Sequence, residues 1–238
     1  RRSTMKKIIV LCMSMMLWLP GLVSAQQALQ IVRVNTDDVA AYLDWAEDSS
    51  EALLGDNVGA IGTCVPVFGA DDPGDVFFFT VNPNQESLFG LDFNNPVLQQ
   101  EIAKISDIRR VVSRDVQLTI RQGGAPGSLG RTWSQAIFFV ETTPPARYIE
   151  LLNEMERRLH ANGFDDVSWA AYQVLTGSDT GQVVSTLRAP TRARVGAALD
   201  AIQFAPWSNF DAEEGGFDNV RTLVHAYIAD CEIYASNQ

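Results

Sequence analysis

Ile31-Val-Arg-Val-Asn-Thr-Asp-Asp-Val-Ala-Ala-Tyr-Leu43 lies over Ile137-Phe-Phe-Val-Glu-Thr-Thr-Pro-Pro-Ala-Arg-Tyr-Ile149 without a gap, at an offset of 106 residues. The alignment matches Ile31 with Ile137, Val34 with Val140, Thr36 with Thr142, Ala40 with Ala146 and Tyr42 with Tyr148. Further on, Val67, Gly74, Val76 and Pro83 fall over Val174, Gly181, Val183 and Pro190 at an offset of 107, so one inserted residue separates the two blocks. Matches that keep their order and fall on the same kinds of element read as a duplication. A Gly/Pro-rich stretch, residues 122–130, lies between the copies and has no apolar period, so it reads as a linker. The expected repeats are residues 26–121 and 131–238.

Each copy follows the same course. An apolar strand (Leu29 to Val34; Gln135 to Val140) leads into an amphipathic helix. In the second helix Tyr148, Leu152, Met155 and Leu159 recur at helical spacing, with Thr143 placed as cap and Gly163 as stop. In the first, Val39 to Leu54 is expected to be helical, with Asp37 or Asp38 as cap. Two strands joined by a turn follow: Ala60 to Phe68 with Val76 to Val81, and Val167 to Leu175 with Gln182 to Leu187. A second helical region carries a proline in each copy (Pro96, Pro206), and a last strand closes it (Asp115 to Arg121; Thr222 to Tyr234). The order β-α-β-β-α-β, twice, is the ferredoxin-like split unit of an α+β protein.

The start of the chain reads as an export signal. Lys6 and Lys7 precede an apolar run from Ile8 to Leu19, too short to anchor in a bilayer, then Pro20-Gly21 and the small residues Val23-Ser24-Ala25. Cleavage after Ala25 and a periplasmic or secreted location are the expectation; Arg1 to Thr4 precede Met5, which reads as the initiator. With residues 1–25 go four of the 18 basic residues and none of the 29 acidic ones, so 14 against 29 gives a net charge of −15. Such a chain repels phosphate backbones and anionic lipid, so neither nucleic-acid binding nor membrane attachment after cleavage is expected.

The hairpin Trp169-Ala-Ala-Tyr-Gln-Val-Leu-Thr-Gly177, running on to Gly181-Gln-Val-Val, together with the tandem unit order, resembles the dimeric α+β-barrel superfamily, which includes antibiotic-biosynthesis-monooxygenase-like and NIPSNAP-like domains. The resemblance implies two sheets packed face to face into one intrachain barrel, helices outside, and a lumen able to hold an apolar ligand. A monomer could then be complete. It also implies that the second strand of one unit lies beside the fourth strand of the other, which would bring Cys64 and Cys231 close enough for a disulfide in an oxidising compartment. Two buried free thiols are the alternative. Haem-degrading relatives use an Asn, Trp and His set that has no matching placement here, so no cofactor is expected.

Candidate chemistry is sparse. His160 sits in the last turn of a helix, where a cation favours the dipole. His225 shares a strand face with Leu223 and Tyr227 by the period of two, and that face is expected to line the barrel. His225 and Tyr227 are therefore weak candidates for ligand contact or proton transfer, although a strand histidine is more often a satisfied core residue. Trp169 and Tyr172 are candidate stacking residues for an aromatic ligand, and Trp133 and Trp207 are weighed with them, against the ordinary role of large aromatics in a core. Asp71, Asp72 and Asp75 lack EF-hand spacing and read as a solvated turn, as does the acidic run Asp211 to Asp218. No metal site is expected. The sequence has no nucleophile elbow, phosphate loop, dinucleotide fingerprint or zinc-protease helix. Three readings stay open: a binder of a small apolar or aromatic molecule between the repeats, a cofactor-independent oxygenase or isomerase using His225 and Tyr227, and a non-catalytic structural or interaction module.

Overall fold

The computed structural model describes residues 26–123, 130–210 and 215–237. The expected export segment up to Ala25, most of the 122–130 linker, and Asp211 to Glu214 of the acidic run lie outside the described residues.

Eight strands close into one barrel: β1 (Ala28–Thr36), β2 (Ala60–Phe68), β3 (Asp75–Asn82), β4 (Arg109–Arg121), β5 (Thr132–Thr142), β6 (Ser168–Thr176), β7 (Val183–Ala189) and β8 (Arg221–Ser236). Round the ring they run β1-β3-β2-β8-β5-β7-β6-β4. All neighbours are antiparallel. Two seams, β2 with β8 and β4 with β6, divide the ring into β4-β1-β3-β2 and β8-β5-β7-β6, so each half has the strand order 4-1-3-2. Val34 opposes Val76 in one half and Val140 opposes Val183 in the other, the same residues that align in sequence. A sheet of this order would leave its second and fourth strands with unpaired backbone groups, and each seam pairs one such edge from each half.

The helices lie outside the ring. In the first half, α1 (Val39–Leu54) is capped by Asp38, whose carboxylate accepts the Ala41 N–H at 3.0 Å. It buries Tyr42, Trp45 and Ala46 against Val34 and Val76. In the second half, α4 (Pro145–Ala161) lays Tyr148, Leu152, Met155 and Leu159 on Val140, Val183 and Leu187, and all four side chains are fully buried. Thr143 does not cap this helix: Pro144 takes the cap position, and no side chain bonds the first turn.

The expected symmetry around Pro96 and Pro206 is not observed. After β7 a single helix α5 (Arg192–Phe204), capped by Thr191, covers the sheet, and Pro206 only begins a short 3-10 turn behind it. After β3 the chain forms the five-residue α2 (Gln85–Phe89), a loop, and then α3 (Pro96–Ala103), which Asn95 caps through the Val97 N–H at 2.9 Å. Trp45 Nε1–H donates to the Glu101 carbonyl at 2.9 Å, and Ser49 Oγ–H donates to the Glu101 carboxylate, so α3 hangs from α1. The helical layer over the first half is accordingly broken into two short pieces, whereas one helix follows β7 in the second.

Candidate functional site

The period of two along each strand decides which side chains enter the barrel. Phe77 and Phe79 of β3, Ile137 of β5, Ala170, Tyr172 and Val174 of β6, and Tyr227, Ala229 and Cys231 of β8 form one buried cluster drawn from both halves. The Tyr227 ring meets Phe77 edge-on at 5.6 Å and Phe139 at 5.8 Å, so aromatic side chains fill this level of the lumen. Trp133 reaches the same cluster against Phe79 at 6.2 Å. Cys64 opposes Cys231 across the β2 and β8 seam and is bonded to it, with an S–S distance of 2.05 Å and Cα atoms 4.0 Å apart.

The candidate ligand residues do not converge on one place. Trp169 and Tyr172 are three residues apart on β6 and so face opposite ways: Tyr172 enters the lumen, whereas Trp169 packs outside it under the helices, 6.3 Å from Phe138 and 6.0 Å from Phe217. Trp207 packs against the same outer cluster. His225 is exposed and stacks on Tyr227 at 6.1 Å. The shared face expected for Leu223, His225 and Tyr227 breaks at a register shift: Phe139 opposes His225, but the next residue, Val140, opposes Leu223 on the helix side. His160 is exposed at the end of α4, with Nε2 2.7 Å from the Val167 carbonyl oxygen.

At the mouth beside His225, Arg33 of β1 bridges Asp71 and Asp75, with both contacts at 2.6 Å, and the Tyr227 hydroxyl donates to Asp71 at 3.2 Å. The expected solvated turn therefore holds only in part, since Asp75 is 3% exposed and fully engaged. Burial, reinforced by the Asp71 charge, pushes the Tyr227 phenol up to about 12. Deeper along β4, Asp115 is buried with Oδ1 unpartnered, and burial raises its pKa. Gly177, at φ +102°, leaves room for it: a Cβ there would stand 1.8 Å from Oδ1. Among the described residues no group of three or more His, Cys, Asp and Glu could hold a metal ion.

A separate opening lies where the helical layer is broken. A cavity of about 390 Å³ sits between the outer face of the first-half sheet and the helices. Val32, Phe78 and Ile61 form its floor; Leu98 and Ile102 of α3, with Phe93 of the preceding loop, form its cover. Its volume falls within the ~300–1,000 Å³ common for small-molecule sites, and apolar walls with a few polar groups are their usual lining. Arg109 and Arg114 line it too, as do Asp56 and Asp92. This site escaped the sequence reading because nothing in an apolar helix pattern shows that the helix covers its sheet incompletely. The signal available was the break at Gly90 and Asn94-Asn95-Pro96, which splits the stretch after Pro83 into two short helices where the stretch after Pro190 holds one.

No protein-family model matches the sequence, and no curated protein matches it significantly. Solved structures do match. A candidate monooxygenase of Fusobacterium nucleatum covers 89% of this chain and 94% of its own, with a TM-score of 0.57 at 9% identity. A candidate monooxygenase of Lactobacillus acidophilus covers 88% and 95%, with a TM-score of 0.54 at 10% identity. A chlorite dismutase of Candidatus Nitrospira defluvii covers 87% and 90%, with a TM-score of 0.54 at 8% identity. The fold is thus that of the dimeric α+β barrels; the likeness does not single out the antibiotic-biosynthesis-monooxygenase-like or NIPSNAP-like branches.

Haem, raised by the resemblance read from the sequence, sets a test for the residues present. Axial ligation takes His, Cys, Met or Tyr. The cavity lining holds none of these. His225 stands at the exposed mouth against Tyr227, and His160 Nε2 is engaged by Val167. The described residues do not fit a haem in this cavity.

Proposed function

We propose that this chain is an exported protein that binds a small, mainly apolar molecule in the cleft between the first-half sheet and α1 to α3. The observation that carries the reading is the apolar-walled cavity of about 390 Å³ beneath a broken helical layer. The ligand position differs from the one expected between the repeats, because lumen aromatics from both halves already contact each other. An oxygenase or isomerase working through His225 and Tyr227 has weaker support: a phenol pushed up to about 12 stays protonated at neutral pH and is a poor general base. A purely structural module leaves the cleft without a purpose.

Titration of the full chain with N-phenyl-1-naphthylamine, a fluorescent apolar probe, tests the reading. Saturable binding is expected, and Leu98→Trp, which fills the cleft from α3, is expected to weaken it about tenfold or more, a change of at least ~1.4 kcal/mol. Undiminished binding in a folded Leu98→Trp protein would remove the cleft as the site. His225→Ala and Tyr227→Phe are expected to leave probe binding unchanged.

A further inference from the structure

The cations of the chain are distributed in a way that says more about the ligand. Ten of the fourteen basic residues beyond Ala25 pair with a carboxylate: Arg33, Lys104, Arg110, Arg121, Arg131, Arg147, Arg157, Arg158, Arg192 and Arg194. With 29 acidic residues available, pairing is what this composition favours. Of the other four, Arg188 donates to the Tyr172 hydroxyl and Arg221 to the Tyr148 hydroxyl. Arg109, which faces the Tyr42 hydroxyl, and Arg114 remain, paired with no carboxylate among the described residues, and both line the cleft.

Their positions in the sheet give the cleft a polarity. Arg114 opposes Val32, and Arg109 opposes Thr36 at the far end of β1, where its guanidinium lies over the Trp45 ring at 5.9 Å. Asp56 belongs to the other end, just before β2, whose Ala60 opposes Val81 and hence the level of Leu29. Asp92 is occupied locally, accepting the Asn94 N–H at 2.9 Å. Two guanidinium groups without a partner carboxylate among the described residues therefore line the chamber, Arg114 midway along β1 at Val32 and Arg109 at its Thr36 end, away from Asp56.

We infer that the molecule bound there is an apolar monocarboxylate, its carboxylate between Arg109 and Arg114 and its body against Val32, Phe78, Leu98 and Ile102. The inference rests on the cleft being the binding site. Guanidinium groups suit the carboxylate by their planar fork of donors, and in a protein of overall negative charge a carboxylate ligand is favoured only where such cations are at hand.

Competition against bound N-phenyl-1-naphthylamine on the full chain, with decanoate, decanol and decylamine, tests this. Decanoate is expected to compete about tenfold or more better than decanol, as charge-assisted hydrogen bonds predict, and decylamine worst. In Arg109→Gln/Arg114→Gln, and in Arg114→Gln alone if the double variant is poorly folded, the decanoate advantage is expected to shrink while decanol is unaffected. Equal competition by decanoate and decanol, a better result for decylamine, or an advantage that survives the substitutions would overturn the carboxylate inference and leave the cleft reading intact. If none of the three competes and the probe itself does not bind, the cleft reading falls and takes this inference with it.

Discussion

Glu156 on α4 accepts the backbone N–H of Trp169 on β6 at 2.7 Å, and its other carboxylate oxygen pairs with Arg121 at the end of β4. Both charged side chains are almost wholly buried. One carboxylate thus ties the outer helix to two strands that meet at a seam.

Removing one partner of such a pair leaves a charge in a low dielectric. Glu156→Ala is expected to cost about 3–5 kcal/mol. Glu156→Gln, which keeps an acceptor for the Trp169 N–H, is expected to cost less. Urea denaturation compares them; equal, small losses would mean that the pair contributes little.

The Cys64 to Cys231 bond spans 167 residues of chain. Closing so long a loop in the unfolded state is expected to stabilise the fold by up to about 5 kcal/mol on the chain-entropy model. Thermal melts with and without reductant, alongside Cys64→Ala/Cys231→Ala, should show a large and matching loss. A melt indifferent to both treatments would contradict it.

Asp115 gives a pH signature. Burial raises its carboxyl pKa in the folded state, so in the interval above the ordinary carboxylate value the folded protein holds more protons than the unfolded one. Its contribution is therefore favourable at low pH and is lost as pH rises through that interval. Asp115→Asn is expected to stabilise the protein at pH 7 relative to the parent, with the gain shrinking toward pH 3. A gain independent of pH would point to packing instead.

Export is expected to remove residues 1–25. Mass spectrometry of material from outside the cytoplasm should find Gln26 at the N-terminus; intact Lys6 in that fraction would contradict the signal reading.

Much of the architecture was legible because backbone periodicity leaves a direct trace. The α1 limits, the hairpin of β2 and β3, and the order of elements follow from apolar spacing and turn residues. The site was less legible. Trp169 and Tyr172 could have been separated from sequence alone, since an odd spacing on a strand sends two side chains to opposite faces. The displacement of Leu223 could not: a register shift depends on the partner strand, and Val224 carries no mark of it. Nor could the cleft be foreseen, because it arises from what α2 and α3 fail to cover. The two arginines lie in the first part of β4, which begins at Arg109 rather than at the expected Asp115, so neither was placed on a strand by the sequence.

The ring of eight strands has a consequence for solubility. With β2 joined to β8 and β4 to β6, each strand has a neighbour on both sides, so the sheet presents no bare margin to which a strand of another molecule could be added. A half released from the ring would present two such margins, β2 with β4 or β6 with β8. The bond between Cys64 and Cys231 sits on one of the two lines along which that separation would have to begin, and in fastening it the disulfide guards against strand exchange and fibre growth as well as against unfolding.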